Sequence, residues 1–456
     1  MSAHLIIGAG PAGLAAIDTI RQFGDTKPIT LVCSEPAYSR MVLPYFMDGT
    51  IAEQSVYTAD ETYLTSRGVE AIFGSKVTGV DPSGTATLDD GRSISFDDAL
   101  IATGSSATRP PIPGADGDNI FNLWTIDDAK AVVERKGAEV AVIGAGFIAF
   151  TCLDALMKLG AAVTVVETED RILPRMIDAT GAGLVEDWLK AKGVSFRTGA
   201  RVQAIEDHEG RKRLVLEAGA PIDADVVIMA TGIRPNLDLV AGAGIEMRDG
   251  IVVDPQLRAS AHNIYAAGDV AEGPVIGSDV HQVHAIQPTA LEHGRIAGAN
   301  MAGADAKYWG SLLMNIVDVA KLRVASFGDW AAEGRETKVV VNRAKPVYRK
   351  LVFEDDVLVG ATILGKPRDV AMLNDMGMIK GLIQTRAPLK VWRKYLEENP
   401  LDIRRPYVAS RAAEKLLAMR LIGKPSTKEG YRDPDPDPTY WPYHDVFVAG
   451  APSIDA

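Results

Sequence analysis

Two short stretches hold residues whose types and spacing suit the binding of a dinucleotide. Gly8-Ala9-Gly10-Pro11-Ala12-Gly13 follows the apolar run Leu5-Ile6-Ile7 and opens an alanine-rich helical pattern. Gly144-Ala145-Gly146-Phe147-Ile148-Ala149 follows Val140-Ala141-Val142-Ile143 in the same way. Glycine at the first position permits a tight turn out of a strand. At the third it lets a pyrophosphate approach the backbone, and a small residue at the sixth lets helix and strand pack closely. The helix that follows turns unpaired N–H groups and a partial positive charge toward the phosphates. An acid then closes the next strand in each case: Glu35 lies 22 residues beyond Gly13, and Glu167 lies 18 beyond Ala149. A carboxylate there can accept hydrogen bonds from a ribose diol.

The repetition goes further. Ala99-Leu100-Ile101-Ala102-Thr103-Gly104 and Val226-Val227-Ile228-Met229-Ala230-Thr231-Gly232 are apolar strands ending in Ala-Thr-Gly, whose glycines fall 96 and 88 residues after the first glycine of each loop. An ordered pattern that occurs twice predicts two dinucleotide-binding units and two dinucleotides. The two acids also bear on which nucleotide binds. A carboxylate at Glu167 favours the free 2′-hydroxyl of NAD over a 2′-phosphate, whereas Arg171 just behind it is of the type that binds such a phosphate.

The elements that must position these residues are those of an α/β protein with two Rossmann-like units and an α+β unit after them. The chain has 456 residues with ordinary apolar and charged fractions, so it accommodates several domains. A net charge of −12 argues against nucleic acid and anionic membranes as partners. No signal-peptide pattern precedes the first strand and no apolar run reaches membrane-spanning length, so the expectation is a cytoplasmic protein without a membrane span. The two cysteines, Cys33 and Cys152, form no C-x-x-C and no metal-ligand spacing, so no metal site is expected and electron transfer would need an organic cofactor. The strand-like residues 251–254 and 264–270, with the helix from Pro288, return the chain to the first unit. This gives a discontinuous first domain at 1–113 and 251–304, a second at 114–250, an α+β interface domain at 305–390, and a helical segment with a tail at 391–456. The tail, residues 424–456, repeats Asp-Pro, which suits neither a core helix nor a central strand.

In combination these motifs resemble the FAD-dependent pyridine nucleotide–disulfide oxidoreductase superfamily over about residues 4–390. The resemblance implies that FAD is held by Gly8, Gly10, Pro11, Ala12, Gly13, Glu35, Arg40, Val77 and Ala102-Thr103-Gly104. It adds Gly268 and Asp269 of the second flavin motif, and Gln287-Pro288-Thr289 at the start of a helix facing the flavin. NAD(H) would lie on Gly144, Gly146, Phe147, Ile148, Glu167, Arg171, Thr231 and Gly232. The third unit resembles the family's dimerisation domain.

The chain departs from the pattern beside the flavin. Where family members carry a redox cysteine, the matching stretch reads Met41-Val42-Leu43-Pro44-Tyr45. A thioether forms no thiolate, so the thiol cycle is unavailable. The lysine and glutamate of rubredoxin-reductase-like members fall at Tyr45 and Thr151, and Met41, Pro44, Tyr45, Thr151 and Gln287 are the flavin-proximal candidates. His281, His284 and His293 surround the flavin-facing helix, and Lys390, Arg393, Lys394, Arg404 and Arg405 form a basic cluster that could dock an acidic electron carrier. The expected function is electron transfer between NAD(H) and a non-disulfide redox partner. That partner would be an iron–sulfur protein or a subunit of a larger redox complex, such as a 2-oxoacid dehydrogenase, in a homo- or hetero-oligomer. A cysteine-independent NADH oxidase is the alternative among enzymes, and a flavin-bound scaffold or redox-responsive binding protein the alternative outside them.

Overall fold

The computed structural model describes residues 3–418. Five parallel strands build the first sheet, in the order Ile264–Ala266, Asp98–Ile101, His4–Ile7, Ile29–Cys33 and Val69–Phe73. Such strands are buried on both faces, which explains their continuous apolar runs; Leu5, Ile6, Leu31, Leu100 and Ile101 are fully enclosed. The strand order reverses at His4–Ile7, so the Gly8 loop leaves the sheet at its switch point, where open α/β sheets bind ligands. A second parallel sheet repeats the plan with Ser195–Arg197, Ala162–Val166, Glu139–Ile143, Val226–Met229 and Ile120–Phe121.

The helix Gln287–Met301 returns to cross Pro11–Gln22. Glycine makes that crossing possible: a Cβ on Gly294 or Gly298 would strike the backbone of Ala12 or Ala16. The third unit is an antiparallel sheet ordered Met314–Val319, Leu322–Gly328, Val357–Gly365, Val347–Glu354 and Glu336–Asn342, with the helix Val370–Thr385 packed on it.

Three features differ from the sequence reading. Aromatics and prolines over residues 36–45 suggest a loop, but the segment contains a 3-10 turn at Arg40–Val42 and the start of the short helix Leu43–Met47. Tyr38, Leu43, Met47 and Val56 share one apolar cluster with Ile126, Ala129 and Phe150 of the second unit. Strand patterns in the third unit's sequence stand at 323–327, 338–342, 348–353 and 358–364 but not at Met314–Val319, because the turn after that strand lacks the usual Asn-Gly. Instead Ala320 and Lys321 both adopt positive φ, at 50° and 63°. That turn is held from outside, its Ala320 N–H by the Asp154 carboxylate and its carbonyl by Trp188 Nε1 at 2.9 Å. Two members of the basic cluster are engaged by their neighbours, while Lys390, Lys394 and Arg404 are exposed. Arg393 is 13% exposed, stacks on Phe353 and pairs with Glu336 at 2.6 Å and Glu397 at 2.5 Å. Arg405 is bound to Asp402 and Tyr395. The Asp-Pro tail lies outside the described residues.

Candidate functional site

The two glycine loops are built alike. Gly8 N–H donates to Val32 at 2.8 Å and Ala102 N–H to Ile7 at 2.8 Å; Gly144 N–H donates to Val166 at 2.7 Å and Ala230 N–H to Ile143 at 2.8 Å. Gly8 and Gly144 have φ of +112° and +101°, and a Cβ on either would collide with the carbonyl of Ala102 or Ala230. Chain geometry therefore demands glycine at both. It makes no such demand at Gly10 and Gly146, whose φ values are −78° and −86° and whose Cβ positions face open space. Those are the positions where a phosphate would approach.

Helix ends give the same picture. The helices Ala179–Lys190 and Val370–Thr385 are capped by the side chains of Asp178 and Asp369. Pro11–Gln22, Phe147–Lys158 and Gln287–Met301 have no side-chain cap. Their first N–H groups, including those of Ala12, Gly13, Ile148 and Thr289, face outward from the helix start, and Pro11 and Pro288 contribute none.

Around the first loop the side chains converge. The Glu35 carboxylate accepts a hydrogen bond from Tyr38 Oη and another, at 2.8 Å, from Arg40. The Arg40 guanidinium lies over the rings of Tyr38 and Trp124 at 5.2 and 5.6 Å, and its Nε is buried without a partner. Asp269 accepts the Ser105 hydroxyl hydrogen at 2.6 Å. Burial lifts the Asp269 carboxyl above its ordinary range, and Ser105 and Arg40 offset this only in part. Behind Gly268, His293 Nδ1 accepts that residue's N–H at 3.3 Å, so the ring proton sits on Nε2. Neither His293 Nε2 nor either nitrogen of His284 has a partner, and burial drives the two rings down to about 3 and about 4.

The second acid is held differently. Glu167, 9% exposed, accepts Ala145 N–H at 2.6 Å, Glu169 N–H at 2.9 Å and the Thr168 hydroxyl at 3.0 Å. Arg171 points away from it, to Asp170 at 2.8 Å and the carbonyls of Pro174 and Ile177 at 3.4 Å. The two Ala-Thr-Gly segments meet. Thr103 and Asn236 exchange hydrogen bonds at 3.0 and 2.9 Å, and Thr231 donates to Thr108 at 2.7 Å. Gly232 accepts from Thr108 N–H at 2.9 Å, and Gly104 from Asn236 N–H at 3.0 Å. The two loops are thereby braced through one pair of strands, Ser105–Ala107 and Ile233–Pro235.

The remaining candidates are scattered. Met41 and Tyr45 are 45% and 53% exposed, Pro44 and Gln287 are half-buried, and Thr151 turns its hydroxyl back on Ile148 at 2.7 Å. Val77 is buried in a hairpin opposite Leu88. Tyr38, Ser105 and Trp124 were not singled out for this site from sequence, whereas His293 was, as one of the histidines by the flavin-facing helix. Only Ser105, one residue beyond Ala-Thr-Gly, carried a positional signal. Of the two cysteines, Cys152 is buried, its thiol pushed up to about 11, and Cys33 closes a strand; neither lies at the Met41 position.

A family model for pyridine nucleotide-disulphide oxidoreductases matches residues 2–304. The NADH-dependent phenylglyoxylate dehydrogenase subunit epsilon of Aromatoleum evansii is 33% identical over 415 residues, 88% of this chain and 96% of that one. An NADH oxidase of Methanocaldococcus jannaschii is 30% identical over 403 residues, 82% of this chain and 90% of that one. Among solved structures, an NAD-dependent persulfide reductase from A. fulgidus superposes with a TM-score of 0.79 at 30% identity, covering 85% of this chain and 77% of that one.

Proposed function

This chain belongs to the pyridine nucleotide-disulphide oxidoreductase family, an oxidoreductase with FAD and NAD(H) as cofactors, and on that footing we propose that it passes electrons between NAD(H) and a redox partner that is not a disulfide. The observation that carries the reading is the pair of open glycines, Gly10 and Gly146. The chain itself does not need glycine there, and each stands at an uncapped helix start. When bound, FAD accepts a hydride from the nicotinamide and can release the electrons singly.

In this reading the first loop, with Glu35, Arg40, Ala102-Thr103-Gly104 and Asp269, holds FAD, and the second loop holds NAD(H). Glu35 and Asp269 suit ribose-type hydroxyls. Arg40, flanked by both acids and two aromatic rings, suits the pyrophosphate beside them. The start of Gln287–Met301 turns uncapped N–H groups toward developing negative charge. Glu167, without a cation beside it, disfavours a 2′-phosphate, which supports NAD(H) over NADP(H). Met41 leaves no thiol to relay electrons. One relative is named as a subunit of a larger dehydrogenase, which supports a protein partner as the acceptor or donor.

Anaerobic mixing of the FAD-loaded protein with NADH tests this. The flavin absorbance bleaches, returns slowly with oxygen, and returns quickly with a one-electron iron–sulfur acceptor. Rapid reoxidation by oxygen would instead assign an oxidase, and no bleaching by either nicotinamide would overturn the reading.

A further inference from the structure

The segment after Glu35 belongs by sequence to the first unit but is fastened to the second. Beyond its shared apolar cluster, two ion pairs hold it. Asp48, at the end of Leu43–Met47, pairs with Lys158, the last residue of Phe147–Lys158, at 2.5 Å. Glu53 pairs with Lys130 of Ile126–Val133 at 2.7 Å. The pairs are unequal. Glu53 and Lys130 are both well exposed, and such a pair contributes little. Asp48 is only 4% exposed, and its other oxygen accepts Thr50 N–H at 2.9 Å. A carboxylate so enclosed depends on its lysine, because a buried charge left alone is costly. Lys158 is also well placed for the dipole, at the C-terminal end of its helix.

The helix that Lys158 closes begins at Gly146, the open glycine of the second loop. The segment that Asp48 belongs to runs from Glu35 through Arg40, Met41 and Tyr45. The same helix is fixed to the third unit through Asp154 and the Ala320 turn. One ion pair therefore joins the far end of the second loop's helix to the chain that lines the first site.

We propose that Asp48 and Lys158 form a latch that sets the angle at which the second loop faces the first. They are positioning residues for hydride transfer, not binding residues for either nucleotide. The inference rests on the two-nucleotide reading above. Breaking the latch leaves both loops intact, so nicotinamide affinity stays while transfer slows.

The test uses the FAD-loaded full chain and compares wild type with K158M, K158R and D48N. Flavin bleaching is followed by anaerobic rapid mixing over a range of NADH concentrations, and hydrogen exchange of amides 43–51 is followed without NADH. For K158M the expected result is a limiting rate at least tenfold lower, an NADH dissociation constant within threefold of wild type, and about tenfold faster exchange. K158R, which keeps the pair, stays within threefold of wild type in all three. D48N, which removes the charge but keeps the shape, reproduces K158M and serves alone if K158M does not retain FAD. A K158M protein with wild-type rate and exchange, or one changed only in NADH affinity, overturns the latch while the two-nucleotide reading stands. A wild-type flavin that NADH does not bleach overturns both.

Discussion

The two glycine loops share their backbone hydrogen bonds almost ångström for ångström, yet their surroundings differ. The first has Gly13 at its sixth position and the second has Ala149. A Cβ on Gly13 would collide with the Gly8 carbonyl and come within 3.2 Å of Ile6. Ala149 carries that Cβ in place and is buried with it. The acids differ as well. Glu35 is oriented by side chains, Tyr38 and the cationic Arg40, whereas Glu167 is oriented mainly by backbone N–H groups and has no cation beside it. The first helix is covered by a close glycine-mediated crossing, the second by the 43–47 helix and a strand of the third unit. One folding pattern thus tolerates two settings, and each setting makes its own demands on residue type.

The most severe break in that comparison is Gly13→Ala. The new methyl meets the Gly8 backbone first, which cannot yield as a side chain would, so we expect a loss of about 5 kcal/mol together with loss of FAD. The converse change, Ala149→Gly, adds backbone freedom to a helix and opens little, and should cost ~1 kcal/mol. Thermal unfolding and flavin content of the two variants measure both. Equal losses would mean that the two loops are packed alike.

A second difference lies beneath the loops. His293 and His284 sit behind the first site and are buried as neutral rings. Burial depresses the folded value of each, to about 3 and about 4, while the unfolded rings titrate near 6.5. Between those limits the unfolded chain binds more protons, so stability is fully present above pH 6.5 and falls as pH drops toward 4. Well below pH 6.5 the slope approaches about 1.4 kcal/mol per pH unit for each ring; between pH 6.5 and 5.5, where the unfolded rings are still filling, the loss is roughly 2 kcal/mol for the pair. Unfolding midpoints across that range should fall for wild type and flatten when both are replaced by asparagine or glutamine. Tyr308 packs edge-on against the His293 ring at 4.5 Å and is a titratable neighbour, whose contribution the double variant separates. An unchanged slope in that variant would place the acid sensitivity elsewhere.

Much of this was legible in the sequence, for reasons that differ by residue. Gly8, Gly13 and Gly144 announce themselves because backbone sterics allow nothing else, and the buried parallel strands because apolar runs have few other uses. Glu35 and Glu167 were found by spacing, but their partners were not. Nothing local says that one faces an arginine and the other a row of amides. The 38–57 segment is a related case, since its apolar residues show that it packs but not that it packs on the second unit. The strand Met314–Val319 was hidden because its turn takes positive φ at Ala320 and Lys321, which only Asp154 and Trp188, over 130 residues away in sequence, stabilise. Arg393 read as a surface cation because its stacking on Phe353 is a tertiary fact.

The smallest expected effects concern nucleotide choice, where the two acids part company most sharply. Glu167→Gln removes a charge that no cation balances while keeping most of its hydrogen bonds. A 2′-phosphate is then no longer repelled, and the ratio of NADH to NADPH efficiency in flavin bleaching should fall about tenfold, a change of ~1.4 kcal/mol. Arg171 is the residue whose type suggests the opposite preference, but its guanidinium is spent on Asp170, Pro174 and Ile177. To reach a phosphate it would have to abandon those partners. Arg171→Leu should therefore shift the ratio by less than twofold and act instead on the stability of the 170–177 turn. If Arg171→Leu raised the NADH preference as far as Glu167→Gln lowers it, the arginine would be reaching the nucleotide, and the second loop would be flanked by a pair of opposed charges, as the first is flanked by Glu35 and Arg40.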